Sequence, residues 1–224
     1  VTVEGAISDD TLVDENRWYL FADGRFALQN DYQLIFDIEA TSDDAYLLDY
    51  DYSDKDRLDS AIQLLRVTDM SLYNARLTYY QTLRDDESNA SLPPFIADLT
   101  FESSFEPSFG GLIRYGTSFD LAYRSSDVDG DDGRDVARLG ADGAWSDSWI
   151  LPYGLIADAQ AGLRTDVYIV ADDVAFAQED LRVAPRAGVT LRWPLARLGA
   201  NGTTHLLEPV VSLSWSDSFG GTPP

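Results

Sequence analysis

Nine stretches of this chain alternate residue by residue, and in each of them one parity carries no charge. The longest row is Tyr153, Leu155, Ala157, Ala159, Ala161, Leu163, Thr165, Val167 and Ile169, with Asp158, Arg164 and Asp166 among the residues between. A strand points successive side chains to opposite faces, so period two means one apolar and one polar face. Length adds a second constraint. Strands of globular proteins run about five or six residues, whereas a strand crossing an outer membrane needs about nine to eleven. Long two-faced strands in series mark an all-β chain of the antiparallel transmembrane β-barrel type.

The other rows repeat the pattern. They are Trp18 to Leu28, Tyr32 to Ala40, Ser71 to Leu83, Ala97 to Phe105, Gly111 to Tyr123, Ala137 to Trp145, Val183 to Trp193 and Leu207 to Trp215. With 25% of residues charged, rows of this length picked at random would regularly contain charges. Arg57 to Val67 has no clean parity, and Leu58, Ile62 and Leu65 fit a helical spacing. Its strand neighbours favour a strand. Asn30-Asp31 makes a tight hairpin. Asp85 to Ser91, Ser125 to Asp135 and Leu198 to Thr203 are polar connections. Short and long connections alternate, and the whole counts to roughly eleven strands.

Composition limits the function classes. The net charge of −23 argues against nucleic-acid binding, and the absence of cysteine removes disulfides and thiolate metal sites. No apolar run approaches eighteen residues, so no transmembrane helix is expected. Trp18, Tyr32, Tyr73, Tyr123, Trp145, Tyr153, Trp193 and Trp215 near the row ends suit an interfacial girdle.

Three phrases carry a family resemblance. They are Tyr46-Leu47-Leu48-Asp49-Tyr50-Asp51-Tyr52-Ser53 followed by Leu58-Asp59-Ser60, then Leu92-Pro93-Pro94-Phe95-Ile96, then His205-Leu206-Leu207-Glu208-Pro209-Val210-Val211. In this order and spacing the chain resembles the barrel of the LPS-assembly outer-membrane family, LptD or organic solvent tolerance protein, over positions 46 to 211. The resemblance implies a non-enzymatic, cofactor-free component that translocates lipopolysaccharide and inserts it into the outer leaflet of the outer membrane. Implied partners are lipopolysaccharide, a plug lipoprotein, the barrel-assembly machinery, outer-membrane lipid and a periplasmic bridge protein that meets an N-terminal domain. Residues 1–224 would be one open part of the barrel, with that periplasmic domain, the closing strands and the family's cysteines outside it. The lack of an initiator Met and of a signal peptide, and the loop-like final residues Phe219 to Pro224, point the same way.

Candidate chemistry is sparse. His205 lies near Ser212, Ser214 and Asp217 in sequence, but an extended strand keeps such residues too far apart for a catalytic constellation. Asp127 to Asp135 looks like a calcium loop, yet the loop positions that need Gly and Glu hold Asp132 and Arg138, so a solvated hairpin loop fits better. Asp98, Glu102, Arg114, Asp120, Asp158, Arg164 and Asp166 fall on the polar parity and are expected to face a water-filled lumen. Leu99, Phe101, Ile113, Phe119, Leu155, Leu163, Val189, Leu191, Val211 and Leu213 are expected to face lipid. Pro185 and Pro209 interrupt apolar rows, as at a bulge or a weakened strand pair. A generic porin shares every compositional feature. A soluble β-sandwich and a barrel enzyme are the more distant alternatives.

Overall fold

The computed structural model of the chain describes residues 1–10 and 15–221. Eleven strands lie side by side in sequence order, each antiparallel to the next. They are β1 (Thr2–Asp10), β2 (Glu15–Ala27), β3 (Tyr32–Thr41), β4 (Arg57–Val67), β5 (Ser71–Thr82), β6 (Phe95–Phe105), β7 (Leu112–Tyr123), β8 (Asp135–Ile150), β9 (Ile156–Ala171), β10 (Glu179–Arg192) and β13 (Val210–Ser216). The ambiguous segment Arg57 to Val67 is a strand from end to end. β11 (Leu195–Leu198) and β12 (Thr204–Leu207) form a separate hairpin. β14 (Phe219–Gly220) continues the register of β13 against β10, so the sheet contains twelve strand segments. The sheet is open, with β1 at one edge and β13 with β14 at the other. Among the described residues the one α-helix, α1 (Tyr46–Asp49), is a single turn, and no helix is long and apolar enough to cross a membrane.

Three expectations need correction. The Leu207 to Trp215 row is not one strand, because Leu207 ends β12 against Leu195 and β13 starts only at Val210. The Tyr153 row is not all strand: Pro152 to Gly154 form a tight turn, and Tyr153 takes φ 65°. The Leu151 N–H closes this turn onto the Leu155 carbonyl at 2.7 Å, so Leu155 belongs to the turn and β9 starts at Ile156. Phe219 and Gly220 are paired strand rather than loop, because Val183 and Arg182 offer them a continuing edge. Thr222 to Pro224 lie outside the described residues.

The register separates the side chains cleanly. Leu99 pairs with Phe119, Phe101 with Thr117, Ile113 with Trp145, Leu163 with Gly143, Val189 with Leu213 and Leu191 with Val211, all on one face. Asp98 pairs with Asp120, Arg114 with Ala144, Arg164 with Asp142 and Asp158 with Thr190 on the other. Charges on the apolar parity sit close to strand ends, as at Arg66, Asp147 and Glu179. Arg66 is stacked over the rings of Tyr32 and Tyr73. Aromatic rings form a continuous series, Tyr32 to Tyr73 to Phe101 to Tyr115 to Phe105, along the end with the short turns.

Strand register also sets a tilt. One row perpendicular to the strands runs Gly24, Phe36, Ile62, Leu77, Ala97, Leu121, Ala137, Ile169, Glu179. It starts near the short-turn end of β2 and finishes at the first residue of β10, beside the opposite end. The strands thus slip by a little over one residue per step. At about 3.3 Å per residue and about 4.8 Å between strands, this is a tilt of about 40°, within the range of closed barrels.

Among the described residues no second layer covers the apolar face. The accessible area is 14867 Å², against about 10,200 Å² for a compact protein of this mass. Leu99, Leu139, Leu163, Ile169, Val189 and Leu213 are all exposed. The buried apolar cluster is small, Tyr19, Tyr46, Leu47 and Leu58, and it lies where α1 fills the gap left as β3 and β4 part. There the ladder ends at Asp37 and Ala61, and the Ser60 hydroxyl takes its place by accepting from the Glu39 N–H and donating to the Glu39 carbonyl, both at 2.9 Å.

Two prolines weaken one strand pair. The Asp217 N–H donates to the Pro185 carbonyl at 3.1 Å and the Trp193 N–H to the Pro209 carbonyl at 3.0 Å. In each narrow pair the return bond is missing, because proline has no N–H. The two gaps bracket the seven register pairs that join β10 to β13, compared with sixteen between β8 and β9. Pro94 does the same once, opposite Tyr80 at the loop end of β5 and β6. Pro185→Ala is expected to slow amide exchange at Trp215 and Asp217 while leaving Val211 unchanged. Hydrogen exchange by mass spectrometry checks this, and unchanged rates at all three would show that the missing bond does not loosen the seam.

Candidate functional site

The polar face is the candidate site. On it, Arg138 is the hub of a charge network: its guanidinium reaches Asp166 at 2.7 Å and Asp120 at 3.3 Å, and Arg164 joins Asp166 at 3.0 Å. Asp120, Arg138 and Asp166 come from adjacent strands, because Asp120 pairs with Arg138 across β7 and β8, and Asp166 lies two register pairs along on β9. Asp166 is almost wholly buried by its two arginines, while Asp120 Oδ2 lies at ion-pair distance without hydrogen-bond geometry. Near the other end Arg192 holds Asp158 at 3.0 Å and lies 3.7 Å from Glu208. Between the two networks lies the row that holds Arg114 and Arg186. Beside it Ser146, Ser148, Gln160, Thr190, Ser212 and Ser214 line a shallow hollow of about 810 Å³, with Glu106, Asp147 and Asp158 also at its wall. Hydroxyls and one amide there offer both donors and acceptors beside the carboxylates.

Connections divide the two ends of the sheet. One end carries the short turns 28–31, 68–70, 106–111 and 151–155, with the β11–β12 hairpin beyond β10. The other carries 42–56, 83–94, 124–134 and 172–178, which are longer and rich in Asp. These long loops are folded. Arg17 on β2 donates to both oxygens of Asp43, at 2.9 and 2.6 Å, and to Asp49 at 3.0 Å, and it stacks over Tyr46 and Tyr50. The Tyr46 hydroxyl lies 2.8 Å from that of Ser8 on β1, so loop 42–56 spans three strands. Glu87 binds Arg57, Arg84 and Thr82, and Arg124 donates to the Ser91 carbonyl at 3.1 Å. In the calcium-like segment Asp129 accepts from the Val174 N–H, while Arg134 takes Asp131 and Asp173. Among the described residues no group of three or more His, Cys, Asp or Glu has metal-holding geometry. His205 pairs with Arg197 in the β11–β12 hairpin.

A model of one protein family, LPS transport system D, matches residues 15–219 of the chain. The chain belongs to the LptD family. No curated protein matches it. The family match agrees with the resemblance carried by the Tyr46, Leu92 and His205 phrases, and it connects an all-β sheet with lipopolysaccharide transport. The three phrases fall at distinct structural places. The first forms α1 and its anchoring loop, the second starts β6, and the third spans β12 and the proline that interrupts the β10–β13 ladder.

Asp98, Glu102, Arg114, Asp120, Asp158, Arg164 and Asp166 lie on one parity of the paired strands β6, β7 and β9. Sequence patterning placed them but not their partners. Arg138 and Arg192, which organise the two networks, sit on the same parity and were legible there. The Arg17–Asp43–Asp49 clamp was not, because it joins a strand to a loop whose path no periodicity encodes.

Arg17 holds the Asp43 carboxyl down to a pKa of about 2, chiefly through its hydrogen bonds and against the opposing effect of burial. The depressed value means that the clamp's contribution is complete above the ordinary carboxylate range, near 3.8, and fades as pH falls towards 2. Exchange protection of the Tyr50 and Tyr52 amides in loop 42–56 should therefore drop between about pH 4 and 2. Asp43→Asn should flatten that dependence. A loop equally protected across this range in both proteins would rule out the clamp as its anchor.

Proposed function

We propose that this chain forms part of the wall of an outer-membrane β-barrel that passes lipopolysaccharide to the outer leaflet. Its apolar face meets lipid acyl chains, and its polar face lines the water-filled path. The observation that carries this reading is an apolar face, charge-free except towards its ends, with no protein layer against it. In water such a face would be a large aggregation liability, whereas lipid solvates it. Strand tilt, strand length and the aromatic series support the same reading.

The division of labour follows from chemistry. The sugars and phosphates of lipopolysaccharide are polar, so they travel along the face of Asp98, Glu102, Arg114, Asp120, Asp158, Arg164 and Asp166. The acyl chains prefer the side of Leu99, Phe101, Ile113, Phe119, Leu163, Val189, Leu191, Val211 and Leu213. Leu155, in the turn, sits at the rim. The long acidic loops face outward and the short turns face the periplasm, as in other barrels of this class. Within this proposal the plug lipoprotein occupies the lumen, and the periplasmic bridge protein meets a domain outside this chain. The barrel-assembly machinery inserts the strands.

Depth tests membrane residence. The centre of β9 is Leu163, rather than the Ala161 that a strand starting at Tyr153 would give. Leu163→Arg should cost about 2–4 kcal/mol of assembled-barrel stability, and Tyr153→Arg at the rim about 0–1 kcal/mol. A guanidinium at the bilayer centre loses its hydration, while one at the rim reaches water. Folding titrations into lipid vesicles measure both, and equal costs would contradict a lipid-facing β9.

A further inference from the structure

One row of the polar face departs from its neighbours. It crosses β6 to β10 and β13 as Ser104, Arg114, Ala144, Gly162, Arg186, Ser216. Two arginines are thus separated by two of the smallest side chains. Arg186 lies over Gly162, close enough that a Cβ there would stand 2.9 Å from its Nε. It therefore leans along the row towards Arg114, and both arginines line a single hollow of about 390 Å³ with Ala144 as part of its floor.

Neither guanidinium has a hydrogen bond or a carboxylate within ion-pair distance among the described residues. Arg25 and Arg197 also lack both, but Arg114 and Arg186 line one hollow together, in a chain that carries 39 acidic residues against 16 basic ones. On the same face Arg138, Arg164 and Arg192 are each matched by an aspartate. Glu102 and Asp142 also line the hollow, yet they leave the two arginines unpaired. Two like charges sharing a hollow repel each other, and an anion placed between them removes the repulsion. Guanidinium is the side chain best suited to that anion when it is a phosphate, because its planar donors grip two oxygens at once. The two carboxylates at the wall oppose tight retention, so the site holds a phosphate in passing.

We propose that Arg114 and Arg186 form a receptor for the sugar-bound phosphate of a glycolipid headgroup moving along the polar face. The proposal rests on that face being the lipopolysaccharide path.

The test uses the membrane-assembled protein and three probes: a phosphorylated lipid A glycolipid, the same glycolipid after enzymatic dephosphorylation, and inorganic pyrophosphate. Arg114→Gln with Arg186→Gln should weaken binding of the phosphorylated glycolipid about ten-fold or more and leave the dephosphorylated one unchanged. Pyrophosphate should compete only with the phosphorylated form. Gly162→Ala, which displaces Arg186 without changing charge, should give a smaller loss, and heat-modifiable migration reports that each variant is folded. Equal binding of the two glycolipids, or full affinity in the double variant, would overturn the receptor while leaving the path intact. Binding of neither glycolipid, with arginine-dependent binding of pyrophosphate alone, would contradict a glycolipid source and the path together.

Discussion

A single sheet whose apolar face has no protein against it must satisfy its backbone within its own plane, and it must find its apolar solvent outside the chain. Everything else in this structure depends on that constraint. The antiparallel ladders of β1 to β10 meet the first requirement almost completely. The second requires a partner as apolar as a hydrocarbon and as extended as the sheet. The buried apolar cluster under α1 is too small to stand in for a core.

The departures from the ladder are therefore informative. Where β3 and β4 part, a serine side chain and a packed loop close the gap. Where β10 meets β13, two prolines remove one bond each, and among the described residues nothing replaces them. The first opening is filled and tied down by Arg17. The second leaves a seam that is short as well as incomplete. A barrel that moves a bulky amphipathic cargo needs stiffness in most of its wall and compliance in some of it, and these two junctions differ in just that respect.

Much of this was legible in the sequence, because period two and freedom from charge are properties of single strands. Neighbouring rows such as Ala97 to Phe105 and Gly111 to Tyr123 need only be paired to give the face seen here. Strand ends were harder. The apolar parity at Tyr153 and Leu155 runs on without a break, and only the turn geometry at Pro152-Tyr153-Gly154 shows where β9 begins. Contacts between strands and loops were not legible at all, since Arg17 and Asp43 are brought together by the path of residues 42–56 and not by any repeat. The unpaired state of Arg114 and Arg186 likewise depends on three-dimensional placement, although their parity did not.

The chain contains no cysteine, which makes the central claim directly measurable. Single cysteines placed in turn at residues 158 to 167 of β9 in the membrane-assembled protein can carry a spin label. Its accessibility to oxygen, which partitions into lipid, is then compared with that to a water-soluble nickel chelate. The account predicts strict alternation, with oxygen favoured at 159, 161, 163, 165 and 167 and the chelate favoured at 158, 160, 162, 164 and 166. Uniform accessibility to the chelate along the strand, or alternation in the opposite phase, would contradict it.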